Sequence, residues 1–92
     1  MILVITDNRV KEREKYLPIA KAFAEDAKHD KGCHGMEIYV DEEKEDRVVF
    51  LSRWDRKEDF LAHTQGAAFQ KHIPGMAPYY VSGTDTFLEA AE

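Results

Sequence analysis

Three residues spaced nine apart, Trp54, His63 and His72, carry the side chains best suited to proton transfer and aromatic recognition in this sequence. They lie in "SRWDRKEDFLAHTQGAAFQKHI", residues 52–73, with the chain's only tryptophan and two of its four histidines. Histidine titrates near neutral pH, so it can take or give a proton. His63 follows Phe60 by about one helical turn, which puts both on one face. Two readings of His63 stand. The commoner is a packed amphipathic histidine with a satisfied N–H. The other is a base or hydrogen-bond donor at the mouth of a pocket. Trp54 is expected to close the end of the core, and an indole placed there can also wall a pocket. His72 precedes "IPG", a helix end, where a cation complements the helix dipole. His29 has the same explanation, and His34 begins a strand. Asn8 is an amide on a strand face that otherwise carries Ile2, Val4, Thr6 and Val10. It lies either beyond the helix cover or, if covered, needs partners and points at the same cavity as Trp54 and His63.

What is missing narrows the chemistry. The histidines have no tight ligand spacing and no HExxH, so no dedicated metal site is expected. The lone Cys33 excludes an internal disulfide and every multi-cysteine zinc site, and it suits a reducing cytoplasm. It reads as a small buried residue at a turn. No GxGxxG, Walker loop or GxSxG occurs, so nucleotide cofactors and serine hydrolase chemistry have no support. The net charge is −5 with no free Lys/Arg cluster, which argues against nucleic acid or an anionic membrane as partner. The apolar start "MILVITDNR" is too short for a signal peptide, and no apolar run approaches membrane length.

The elements that must position these residues fit one domain over residues 1–92. Hydrophobic residues make up 43% and charged residues 34%, a globular balance. "ILVITDNRV" reads as a strand over about residues 2–10, with Leu3, Ile5, Asp7 and Arg9 on the face opposite Asn8. Tyr16, Ala20, Phe23 and Ala27 recur at helical spacing. Pro18 is tolerable only near a helix start, so the helix is expected to begin at Glu14 to Leu17, with Gly32 as its stop. "GMEIYVDEEKEDRVVFLSRW" reads as a hairpin with a charged tip. Asp55 with Glu58 resembles a capping box opening a second helix. Gly66 interrupts it, "AAFQKHI" adds a turn or two, and "PG" at residues 74–75 ends it. "APYYVSG" is ambiguous, and "TDTFLEA" reads as the last strand. The order βαββαβ predicts an α+β, ferredoxin-like unit with one antiparallel four-stranded sheet and both helices on one face. Leu3, Ile5, Val49 and Leu51 leave the other face apolar, so a homodimer is expected.

The apolar first strand, "KGCHGMEIYVD", "RVVFLSRW" and "WDRKEDFLAHTQGAAFQKH" together resemble the antibiotic biosynthesis monooxygenase family of dimeric α+β barrels. The resemblance runs over nearly the whole chain. Its signature is the tryptophan-acid step, a phenylalanine six residues after Trp54, a histidine three beyond that, and a later "FQ". Many members carry a second histidine where this chain has Ala68, and an apolar or aromatic residue where it has His72. The heme-degrading branch shares "NRV" around Asn8, but it has tryptophan at the position of His63. Its heme-ligating histidine would fall at Ile73.

The resemblance implies cofactor-independent oxygenation. A quinol, phenolic or polyketide-type aromatic substrate is deprotonated and itself supplies electrons to O₂, with neither metal nor flavin. It implies His63 as base or orienting donor, Asn8 as hydrogen-bond partner, and Trp54 as a wall. Phe60, His72 and Tyr79 (or Tyr80) complete the substrate site. Isomerisation of a small oxygenated metabolite, heme degradation, and a non-catalytic dimeric binding or stress protein are the alternatives.

Overall fold

The alternating strands and the two helical stripes assemble into a single antiparallel sheet with helices packed on one side. The computed structural model describes residues 1–91. The elements are β1 (Ile2–Val10), α1 (Arg13–Ala27), β2 (Cys33–Val40), β3 (Arg47–Trp54), α2 (Lys57–His63), α3 (Ala67–Met76), a 3₁₀ turn (Ala77–Tyr79) and β4 (Tyr80–Glu89). The sheet order is β2-β3-β1-β4, antiparallel throughout, which is the ferredoxin-like arrangement expected. Because side chains alternate along a strand, one face buries Val4, Asn8, Val10, Val48, Phe50, Ser52 and Trp54. The other face presents Leu3, Ile5, Val49 and Leu51, all partly exposed.

The buried face supports two apolar clusters. One joins Val10, Val48 and Phe50 to Tyr16, Ala20, Phe23 and Ala27 of α1 and Met76 of α3. The other is smaller and consists of Val4, Trp54 and Phe60, flanked by Ile2, Cys33, Met36 and Phe87. His63 stands between them. Its ring centroid is 5.5 Å from that of Phe23 in the first cluster and 5.0 Å from that of Trp54 in the second.

Four local expectations need correction. Helix α1 begins at Arg13, because the N–H groups of Lys15 and Tyr16 both bond to the Glu12 carbonyl. Pro18 therefore lies in its second turn. It deprives only the Glu14 carbonyl of a donor, and the buried stripe carries the helix past it. Asp55 is not a cap: α2 opens at Lys57 after Arg56, with no side-chain cap. The Asp55 carboxylate instead meets His34 Nε2 at 2.5 Å. Helix α3 continues through Pro74 and Gly75 to Met76. Gly75 packs against α1, where an added Cβ would lie 3.4 Å from Ile19 Cγ2. Strand β4 begins at Tyr80, so the segment read as ambiguous divides between the 3₁₀ turn and the strand.

Candidate active site

The two clusters do not merge completely. Between the sheet and helices α2 and α3 they leave a cavity of about 330 Å³. This is at the small end of the range for ligand pockets. Phe23, Phe50, Phe60, Phe69, Ile73 and Met76 give it an apolar lining, and the polar lining residues include Thr6, Asn8, His63, Tyr80 and Asp85.

His63 is the chemical centre of this cavity. Its side chain is only 2% exposed, and its Nδ1 lies 2.7 Å from Oδ2 of Asp30 in the turn after α1. A carboxylate can only accept, so Nδ1 carries the hydrogen. In the neutral ring this leaves the lone pair on Nε2. Nε2 bonds to no described residue. No sealed side-chain polar atom lacks a partner among the described residues, so Nε2 is not sealed off, and His63 lines the cavity. Trp54, Phe23, Phe60 and Phe69 surround the imidazole at centroid distances of 5.0 to 5.9 Å. The result is an oriented base in an apolar surround.

Asn8 lines the same cavity from the sheet. It is 7% exposed, and its Nδ2 donates to Tyr16 Oη at 3.5 Å, a long bond. Burial pushes the Tyr16 hydroxyl up, against the opposing effect of that hydrogen bond, so it stays protonated. Across the register from Asn8 stands Gly83. Its missing side chain leaves the space that the Asn8 carboxamide oxygen enters, and an added Cβ would also lie 2.8 Å from Tyr80 Oη. Asn8 and Tyr80 therefore bring two polar groups together at the cavity, with the buried Tyr16 hydroxyl bonded behind Asn8.

Of the six residues expected from sequence, Asn8, Phe60 and His63 line this cavity, and Trp54, His72 and Tyr79 do not. Trp54 lies behind His63, fully buried, with its Nε1–H donating to Ser52 Oγ at 2.8 Å. It backs the base instead of walling the cavity. His72 turns to α1, where its Nε2 is 2.5 Å from Asp26; that hydrogen bond holds the Asp26 carboxyl below the usual range. Tyr79 packs against the larger cluster, and its neighbour Tyr80 takes the lining position. Asp30 was not foreseen, because a turn residue reaching across the fold leaves no periodic trace in the sequence. Asp85 escaped for a related reason. It lies on the edge strand, and its inward direction follows from the β1–β4 register. Among the described residues, no group of three His, Cys, Asp or Glu side chains is placed to hold a metal.

A family model described as antibiotic biosynthesis monooxygenase matches residues 1–75. No curated protein matches the chain by sequence. Solved structures match it closely in shape. One, described as an antibiotic biosynthesis monooxygenase, has a TM-score of 0.88 at 20% identity, covering 100% of both chains. SnoaB from Streptomyces nogalater, described as a cofactor-independent oxygenase, has a TM-score of 0.85 at 11% identity, covering 99% of this chain and 93% of that one. A conserved protein from Methanosarcina mazei has a TM-score of 0.83 at 18% identity, covering 95% of this chain and 89% of its own.

Proposed function

The chain belongs to the antibiotic biosynthesis monooxygenase family, and from that premise we propose that it oxygenates a small quinol or phenolic aromatic without metal or flavin. The observation that carries this reading is the His63 ring, oriented by Asp30 and lining an apolar cavity. A phenolic O–H placed at Nε2 gives its proton to the imidazole. The phenolate left behind is electron-rich and can pass electrons to O₂. For a ring CH₂ oxidised to a carbonyl, one oxygen atom enters the product and the other leaves as water. The substrate supplies all four electrons, so the step balances with no further reductant. Asn8 and Tyr80 can bond to a substrate oxygen on the opposite side, which fixes the ring relative to His63. The apolar lining limits the water that could compete for the proton or quench the phenolate.

The heme-degrading alternative lacks a donor where it would need one. The position implied for the ligand is Ile73, which lines the cavity with a side chain that cannot ligate. In this reading two copies pair through the Leu3, Ile5, Val49 and Leu51 face, and the half-buried thiol of Cys33 suits a reducing cytoplasm. No helix among the described residues is long and apolar enough to cross a membrane.

The test is O₂ uptake by metal- and flavin-free protein with a panel of quinols and anthrones, beside His63→Ala. The expected loss of turnover in the variant is about 10²- to 10⁴-fold, the range for one general base. Folding is expected to survive, because Phe60, Phe69 and Ile73 keep the helix face apolar. Equal rates in the two proteins would remove His63 from the chemistry.

A further inference from the structure

The two sides of the cavity differ in kind. The helix side offers one base among aromatic rings. The sheet side offers oxygens, from Thr6 and Asn8 on β1 and from Asp85 opposite Thr6 on β4. Thr6 Oγ1 donates to Asp85 Oδ1 at 2.8 Å. That bond uses the only hydrogen of the hydroxyl. The second carboxylate oxygen of Asp85 engages no described residue and remains open as an acceptor. Among the described residues, no lysine or arginine lines the cavity. The cations of the neighbouring helices are engaged elsewhere: Lys57 lies 4.5 Å above the Phe87 ring, and Lys71 pairs with Asp26 at 3.5 Å. The chain as a whole carries −5. A substrate that reaches this cavity therefore meets a carboxylate with no lysine or arginine among the described residues to balance it.

We infer that Asp85 is a specificity-determining residue, admitting an uncharged aromatic that presents a hydroxyl donor to the sheet side and turning away aromatic carboxylates. The inference rests on the reading of this cavity as the substrate site, and it narrows the substrate class. A quinol can donate one hydroxyl to the free Asp85 oxygen while the other faces His63, and a phenol can donate its single hydroxyl to the same oxygen. An aryl carboxylate in the same place brings two anions together with no donor between them. Asp85 is exposed, so water and salt weaken the repulsion, and the discrimination should be about tenfold and salt-dependent.

Calorimetric titration of the whole protein near neutral pH, with 2-naphthol and with 3-hydroxy-2-naphthoate, reads this without turnover. Wild type should bind the naphthol about tenfold more tightly than the carboxylate. The gap should close to within about threefold in Asp85→Asn and at high salt, where charges are screened. The variant also separates charge from size, because both compounds keep their shapes. A gap that is absent in wild type, or unchanged in the variant and in salt, overturns the inference, as does failure of the naphthol to bind. Selective binding without O₂ uptake would leave Asp85 as the selector and sink the oxygenase reading. O₂ uptake without selectivity would do the reverse.

Discussion

Asp30 fixes which nitrogen of His63 carries the hydrogen, and that dependence can be measured. In Asp30→Asn the carboxylate that only accepts becomes an amide that can also donate, so the ring is free to present either tautomer. Turnover should fall by up to about 10⁴-fold, the loss seen when the carboxylate orienting a catalytic histidine becomes an amide. The fall should appear in kcat with KM little changed, because Asp30 does not line the cavity. Asp30→Glu should restore part of the rate. A variant that loses stability but keeps kcat would make the pair structural. Trp54 is a packing residue by the same geometry, and truncating it to Ala should destabilise the fold by about 3 to 5 kcal/mol in chemical denaturation. Sequence alone brought His63 and Asn8 to one cavity, because period and face can be read from a single strand or helix. It read Trp54 as closing the end of the core and could not decide whether the indole also walls the cavity, because facing the helices does not say whether a side chain meets a cavity or another ring.

The turns set the accuracy of the site as much as the strands do. Gly32 has φ 81, and the Asp59 carboxylate lies where a side chain would go. Gly32→Ala should therefore cost at least about 1 to 2 kcal/mol from backbone conformation alone. It should also lower turnover, since Asp30 is held in the same turn; unfolding curves and kcat together check both. The β2–β3 tip makes a separate prediction about pH. Asp41 accepts the N–H groups of Glu43 and Lys44 and the Arg47 guanidinium, which hold it at about 2, below its ordinary 3.8. Asp7 is lowered too, chiefly by its hydrogen bonds from Arg47. A carboxyl depressed in the folded state stabilises fully above its ordinary value and loses that contribution as pH falls through the folded one. Stability should therefore decline between about pH 4 and pH 2, and denaturant unfolding of Asp41→Asn should show a shallower decline. The strand order and hairpin were legible because alternation and turn residues are local. The path of α3 through Pro74 and Gly75 was not, because it depends on contact with Ile19 of another helix.

The sheet has one covered face and one bare one, and the described residues hold no further helix to lay on the second. Leu3, Ile5, Val49 and Leu51 are expected to meet the same residues of a second copy across an interface of about 1,200 Å² or more. Light scattering at micromolar protein should report a dimer, and Leu51→Glu should report a monomer with the cavity intact. A monomeric wild type would mean that the bare face stays in water. Apolar periodicity foretold this face, and the family match agrees with the fold that presents it. The chemistry inside is the central claim, and oxygen isotope labelling tests it most directly. Metal- and flavin-free protein is given ¹⁸O₂ and an anthrone or quinol that it turns over, and the product is weighed by mass spectrometry. The account predicts one labelled oxygen atom per product molecule at the rate of O₂ uptake, with both lost together in His63→Ala. Product without label, or no O₂ consumed with any substrate that binds the cavity, would contradict it.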